Sequence, residues 1–251
     1  MEICKNDNKF LVTGEYSKMW FANNKLGTWE PDTFHILDYY KNDGVYIDIG
    51  SWIGPTVLYA ANIFKKVIAI EPDPVALERL DANLRINKFT NINVVRKAIS
   101  DKNGTSQFGG NSDLGNSEST LLVSDPDYAN WGGTWSKQER MSNIIKVDTI
   151  TIETLLIEQN IKPDEISLIK MDIEGGELIV VPYLKQFLEK YKPKFYISLH
   201  YGFLKHEHII LIVDILFDIY KFGYVFNDDG VKTKIYKDEV LALKKSSIVF
   251  E

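Results

Sequence analysis

Residues 45–74, VYIDIGSWIGPTVLYAANIFKKVIAIEPDP, restrict the fold more than any other stretch of the chain. They open on Val45-Tyr46-Ile47-Asp48-Ile49, a short apolar run of the kind that makes a strand buried on both faces of a parallel sheet. A turn follows with Gly50 and Gly54, residues that accept positive φ and let another group come close to the backbone. Pro55 stands where a first helical residue is expected, because an N–H there would have no intrahelical partner. A short helix through Val57, Leu58 and Ala61 leads to a second apolar run, Val67-Ile68-Ala69-Ile70, which Glu71 closes. Strand, turn, helix, strand and acid in this order make the first half of a nucleotide-binding α/β sheet.

The glycine spacing selects among nucleotides. Dinucleotide folds use G-x-G-x-x-G to seat a pyrophosphate on a helix N-terminus. Here Asp48, Gly50 and Gly54 form D-x-G-x-x-x-G instead, and an acid beside the turn suits an amino-bearing ligand better than phosphates. Glu71, about 20 residues on at the tip of the second strand, has the position and charge to bind both hydroxyls of a ribose. A ribose joined to a cationic, amino-bearing tail describes S-adenosylmethionine. Ser51 in the turn and Pro72 after Glu71 join the expected cofactor-binding residues.

A chain of 251 residues fits one α/β domain, here with a lead-in over 1–44 and an insertion over 102–146. The net charge of −6 argues against a general nucleic-acid binder, which needs a basic stripe for phosphates. A single cysteine, Cys4, excludes an internal disulfide framework and fits a reducing compartment. The first ten residues are polar and mixed in charge, unlike a signal peptide. The longest apolar run, 209–219, contains Asp214 and Asp218 and is too short to cross a bilayer. Together these features predict a soluble cytoplasmic protein.

Ahead of the first strand, residues 27–31 read as a turn and 32–40 as a helix. After Glu71, Asp73 is the expected N-cap and Pro74 the first residue of a helix running to about residue 87. A third strand is expected over 91–99. Residues 102–146 are rich in Gly, Asn and Ser, and so long a segment of weak periodicity inside a domain is usually functional or disordered. It reads as a lid, with a hairpin pairing residues near 105–108 with 146–148. Thr151 caps a helix, 166–171 is a fourth strand ending in Asp172-Ile173-Glu174-Gly175-Gly176-Glu177, and a helix follows over 177–190. A fifth strand over 194–199 ends at His200, a helix spans 207–222, and strands near 224–226 and 246–250 are expected to form a closing hairpin.

The segments YIDIGSWIG, IAIEPDP, AISDKNGT, TITIETLL and above all LIKMDIEGGE resemble the FkbM-type family of S-adenosylmethionine-dependent methyltransferases, over roughly residues 29–226. The resemblance implies a Rossmann-like class I fold: a seven-stranded, mostly parallel sheet with one antiparallel strand, flanked by helices. It also implies O-methylation, often of sugar hydroxyls, and release of S-adenosylhomocysteine. Asp48, Gly50 and Gly54 would take the methionine end of the cofactor, Glu71 the ribose and Asp101 the adenine amino group. Thr28, Trp29 and Glu30 would cover it from the lead-in. Family members usually carry an acid two residues before the histidine after strand five; here Ser198 stands there.

Asp172 and Glu174 end the fourth strand at the ligand edge of the sheet. With His200 they are the candidates to take the proton of an acceptor hydroxyl, and His200, titrating near neutrality, leads as a neutral base. The same three are hard ligands suited to a magnesium ion. Trp131, Trp135 and Tyr128 in the insertion offer aromatic faces for a sugar ring, and Tyr201 follows His200 as a further substrate contact. Two other functions fit the sheet: a non-catalytic S-adenosylmethionine-binding module, and a nicotinamide-dependent oxidoreductase, which lacks its third glycine here.

Overall fold

The computed structural model describes residues 1–110, 113–130, 136–244 and 246–251; of residues 23–28 only the backbone is described. The chain begins with a hairpin, β1 (Glu2–Lys5) and β2 (Asn8–Leu11), then α1 (Glu15–Thr28) and α2 (Pro31–Tyr40). The nucleotide-binding half follows as β3 (Val45–Ile49), α3 (Pro55–Ala60), β4 (Lys66–Ile70), α4 (Pro74–Arg85) and β5 (Ile92–Val95). A side sheet comes next, from β6 (Ala98–Ile99), β7 (Gly104–Phe108), α5 (Lys137–Arg140) and β8 (Ile145–Ile150). The remainder is α6 (Ile152–Glu158), β9 (Ile166–Met171), α7 (Glu177–Tyr191), β10 (Phe195–Ser198), α8 (His206–Tyr220), β11 (Gly223–Phe226), β12 (Lys232–Ile235), α9 (Lys237–Leu243) and β13 (Ser247–Phe250).

The main sheet has eight strands in the order β12-β11-β13-β10-β9-β3-β4-β5. β10, β9, β3, β4 and β5 run parallel, and β13 is antiparallel to both β10 and β11. The architecture is the expected helix-flanked, mostly parallel sheet. The expected strand count of seven becomes eight because β12 pairs with β11 and, with α9, fills what reads in sequence as one late hairpin. The expected strand over 91–99 divides: β5 edges the main sheet, while β6 turns away to pair with β8 in a separate three-stranded sheet. The pairing expected inside the insertion is present, with Thr105 opposite Asp148 and Gln107 opposite Lys146.

Period-two alternation sorts the central strands into two apolar layers. Ile47, Ile49, Ile68, Ile70, Ile169, Met171 and Ile197 face one core together with α7 and α8; Tyr46, Val67, Ala69, Leu168 and Tyr196 face the other together with α2 and α3. Asp48 and Lys170 fall on the second face, directly opposite each other across β3 and β9. Local capping follows the sequence: the Asp73 carboxylate accepts from Val75 and Ala76, and Thr151 accepts from Thr154. Among the described residues no helix is long and apolar enough to cross a membrane.

Candidate active site

A cleft of about 450 Å³ opens outside the carboxyl ends of β3, β4, β9 and β10, where parallel sheets bind their ligands. Its first wall is the turn after β3. Gly50 lines it with φ +86, and its N–H donates to Ile70 O at 3.0 Å. A Cβ at Gly50 would stand 1.9 Å from the carbonyl oxygen of Asp172, so glycine is required for the ends of β3 and β9 to close together. Gly54 (φ +91) does not border the cleft; a Cβ there would meet Leu80 of α4 at 2.5 Å. The role expected of Gly54 at the cofactor is corrected to helix packing. Ser51 does line the cleft, and its hydroxyl donates to Asp48 O at 2.9 Å.

Asp48 also needs correction. Its carboxylate is wholly buried behind the cleft wall, accepting from Thr56 Oγ1 at 2.5 Å and facing Lys170 Nζ at 3.5 Å. Burial pushes its pKa up, while Lys170 and Thr56 pull it down. Lys170, 2% exposed, bridges onward to Asp172 Oδ2 at 3.0 Å and borders the cleft. Burial opposes the lysine's charge, yet Asp172 and Asp48 more than restore it. The sequence reading missed Lys170, although a lysine inside an otherwise apolar strand was the available signal: only a paired charge survives there.

Glu71 is buried at the tip of β4, and its oxygens accept from the backbone N–H of Trp52 and Asp73, both at 2.8 Å. Burial nonetheless lifts its pKa to about 7. Pro72 and Asp73 line the cleft beside it. Asp101, expected at the adenine, is exposed, accepts from Ser100 Oγ at 3.0 Å and does not line the cleft. The insertion contributes Asn116, Ser117, Ser119 and Leu121 to the cleft wall. It is pinned at Gly115, whose N–H donates to Asp73 Oδ2 at 2.6 Å and whose carbonyl accepts from Trp52 Nε1 at 2.8 Å and Arg79 at 2.6 Å. Tyr128 is fully buried with the Arg140 guanidinium 5.0 Å from its ring centre, which removes it as a sugar platform. Trp131 and Trp135 lie outside the described residues. The aromatic surfaces that do line the cleft are Phe108 and the tryptophans Trp20, Trp29 and Trp52, with Trp20 edge-on to each of the other two tryptophans at 5.1 Å.

Glu30 enters the cleft from the start of α2. It accepts from Thr33 Oγ1 at 3.0 Å, and Thr33 is 2.7 Å from the hydroxyl of Tyr196. Burial, and then the charge of Asp172, raise the Glu30 pKa to about 7. The side chain of Thr28 lies outside the described residues.

The opposite wall is the turn after β9. Glu174 and Gly175 both have positive φ there (+55 and +93), a conformation that is costly for glutamate and is found where surrounding structure enforces it. The turn brings Asp172, Glu174 and His200 together: His200 Nε2 is 3.1 Å from Asp172 Oδ1 and 3.4 Å from Glu174 Oε2. On its far side His200 Nδ1 is 3.1 Å from Oε1 of Glu177, which is 0% exposed and also accepts from the N–H of Ile173 at 2.9 Å. Burial opposes charge on His200, but Glu177, Glu174 and Asp172 overcome it and raise its pKa well above the ordinary value. A neutral His200 acting as base near pH 6.5, the expected mechanism, is therefore not what this setting favours. Burial also opposes charge on Asp172, yet Lys170 and His200 hold its carboxyl well below the ordinary range. Burial lifts Glu174 to about 8 despite His200. Tyr201 points away from the cleft, its hydroxyl reaching Val240 O at 3.4 Å, whereas Ser198 lines it.

One ligand atom from each of Asp172, Glu174 and His200 lies within 4.8 Å of the others, so these three side chains could share a metal ion. Glu71, the apolar Ile70, Ala98 and Ile99, and an excess of acids over bases among the charged lining residues suit a cationic nucleoside.

A model of the methyltransferase FkbM domain matches residues 42–226. No curated protein sequence matches the chain. Among solved structures, a methyltransferase FkbM from Methylobacillus flagellatus KT aligns at 19% identity and TM-score 0.48, covering 83% of this chain and 44% of that one. The present chain thus spans less than half of that protein. A precorrin-8w decarboxylase from Methanobacterium thermoautotrophicum aligns at 11% identity and TM-score 0.40, over 90% of this chain and 89% of the other. Trm5b from Pyrococcus abyssi aligns at 16% identity and TM-score 0.26, over 43% and 40%. At such scores these structural likenesses carry no weight for function.

Proposed function

The chain belongs to the FkbM methyltransferase family, and from that premise we propose that it transfers a methyl group from S-adenosylmethionine to a hydroxyl oxygen of a sugar or glycan. The observation that carries this reading is one cleft with Glu71 on one wall and Asp172, Glu174 and His200 on the other. Bound S-adenosylmethionine supplies an electrophilic methyl carbon on a sulfonium. Glu71 is suited to the ribose: its two backbone donors fix the carboxylate, and each oxygen keeps a lone pair for a ribose hydroxyl. Ile70, Ala98 and Ile99 offer an apolar slot for the base. The sugar ring rests against Trp20 and Trp29, with Glu30 and Asp32 accepting from its hydroxyls.

Holding the acceptor oxygen in line with the methyl carbon is worth up to about 7–11 kcal/mol. A placed base adds about 10²–10⁴-fold. Asp172 is committed to Lys170 and His200, which leaves Glu174, in its ionised form as pH rises through about 8, as the group that receives the acceptor's proton. Incubation with methyl-labelled S-adenosylmethionine and a panel of saccharides, simple alcohols and amines tests the reading. Label should appear as a methyl ether on a sugar, with S-adenosylhomocysteine formed in step. Transfer to amines alone, or tight cofactor binding with no transfer to any acceptor, would overturn it.

A further inference from the structure

We infer that Asp172, Glu174 and His200 form a binding site for one divalent cation of the Mg²⁺ or Mn²⁺ class, with Glu177 as the positioning residue behind it. The spacing supports this first. Ions of this class hold oxygen ligands at about 2.0–2.1 Å in octahedral geometry, which sets neighbouring ligand atoms about 3.0 Å apart. His200 Nε2 lies 3.1 Å from Asp172 Oδ1 and 3.4 Å from Glu174 Oε2, so small movements would give three adjacent ligand positions. Three protein ligands leave the other positions for water or substrate oxygens.

Glu177 is the second, independent observation. A metal-binding histidine usually donates its other ring N–H to a carboxylate, which fixes the tautomer and turns the free nitrogen to the ion. His200 Nδ1 meets Glu177 Oε1 in that way, at 3.1 Å. Glu177 is also wholly buried, and its Oε2 has no hydrogen-bond donor among the described residues. The local contacts point the same way: three carboxylates, Asp172, Glu174 and Glu177, converge on the one imidazole of His200, and a divalent ion at Nε2 supplies them a further counter-charge. On the methyl-transfer reading, the ion's free positions bind neighbouring hydroxyls of the acceptor. Glu174 meets the ion through Oε2 and takes the reacting hydroxyl's proton on Oε1.

The test is titration of the metal-stripped full chain with Mn²⁺, without cofactor, followed by loss of the free-ion paramagnetic resonance signal. One Mn²⁺ per chain is expected. Glu174→Gln should weaken binding at least tenfold and Glu177→Gln, which changes no ligand, by about 10- to 100-fold. Asp101→Asn, outside the cleft, should leave it unchanged. Circular dichroism checks each fold; should Glu177→Gln not fold, Glu174→Gln still decides. No Mn²⁺ binding at millimolar concentration, or binding that Glu174→Gln and His200→Gln leave unchanged, overturns the site. Methyl transfer in a chain that binds no Mn²⁺ sinks only the metal site. Mn²⁺ binding without methyl transfer to any acceptor sinks only the methyl-transfer reading.

Discussion

Glu71 illustrates how one residue links backbone, electrostatics and ligand. Its carboxyl is fixed by Trp52 and Asp73, and burial raises its pKa to about 7. Below that pH it holds a proton; above it, it is a carboxylate able to accept from ribose hydroxyls. Affinity for S-adenosylhomocysteine should therefore tighten as pH rises through about 7 and level off above. Glu71→Gln should remove that dependence and cost about 1.5–3 kcal/mol, the range for hydrogen bonds to a charged group. Calorimetry giving the same affinity at pH 6 and pH 8 would exclude the ribose assignment. Glu71 was legible because an acid at the tip of a second parallel strand has one obvious direction to face. Asp48 was not, because its partner Lys170 lies on a distant strand and only register shows that the two face each other.

At the scale of elements, β3 and β9 carry the site between them. Asp48, Lys170 and Asp172 form a chain from the buried face of the sheet to the cleft, so the Asp172 carboxylate is positioned from behind. Lys170→Met should leave Asp48 buried without its counter-charge and cost about 3–5 kcal/mol, measured by denaturant unfolding. Double replacement with Asp48→Asn should recover part of that loss; a double variant no more stable than Lys170→Met would show that the pair acts independently. The central strands and α4, α6, α7 and α8 were readable because apolar period and caps agree there. In the lead-in only α2 was readable: β1 is half exposed and α1 carries no strong apolar stripe, and this part of the chain is held by contacts from afar, such as Asn83 accepting from the N–H of Thr13. The run 91–99 was apolar enough for one strand, and only the paired edges of two sheets divide it.

Across the whole molecule, the cleft's buried acids tie stability to pH. Glu30 and Glu71 are each raised to about 7 and Glu174 to about 8, so the folded chain keeps protons that the unfolded chain releases near pH 4.5. The folded state then binds more protons between those limits, and stability is full below about pH 4.5 and declines as pH rises through 7. His200 acts in the same direction: its raised pKa contributes stability that is present below 6.5 and is lost as pH rises through the folded value. Asp172, lowered, contributes stability that is lost only as pH falls below the range considered. With chelator present, Tm should fall from pH 5 to pH 8 by roughly 8–24 °C from Glu30 and Glu71 alone, taking about 2–3 kcal/mol for each of the two and 2–4 °C per kcal/mol for a chain of this size. The ligand should oppose the decline. If Glu71 holds the ribose as proposed, S-adenosylhomocysteine binds its ionised form, and a saturating excess should raise Tm more at pH 8 than at pH 5.5. A Tm that climbs with pH in the ligand-free chain would mean that the cleft acids are hydrated and near their ordinary values. The acidic cleft would then be an open, solvated surface rather than a site waiting for a cation.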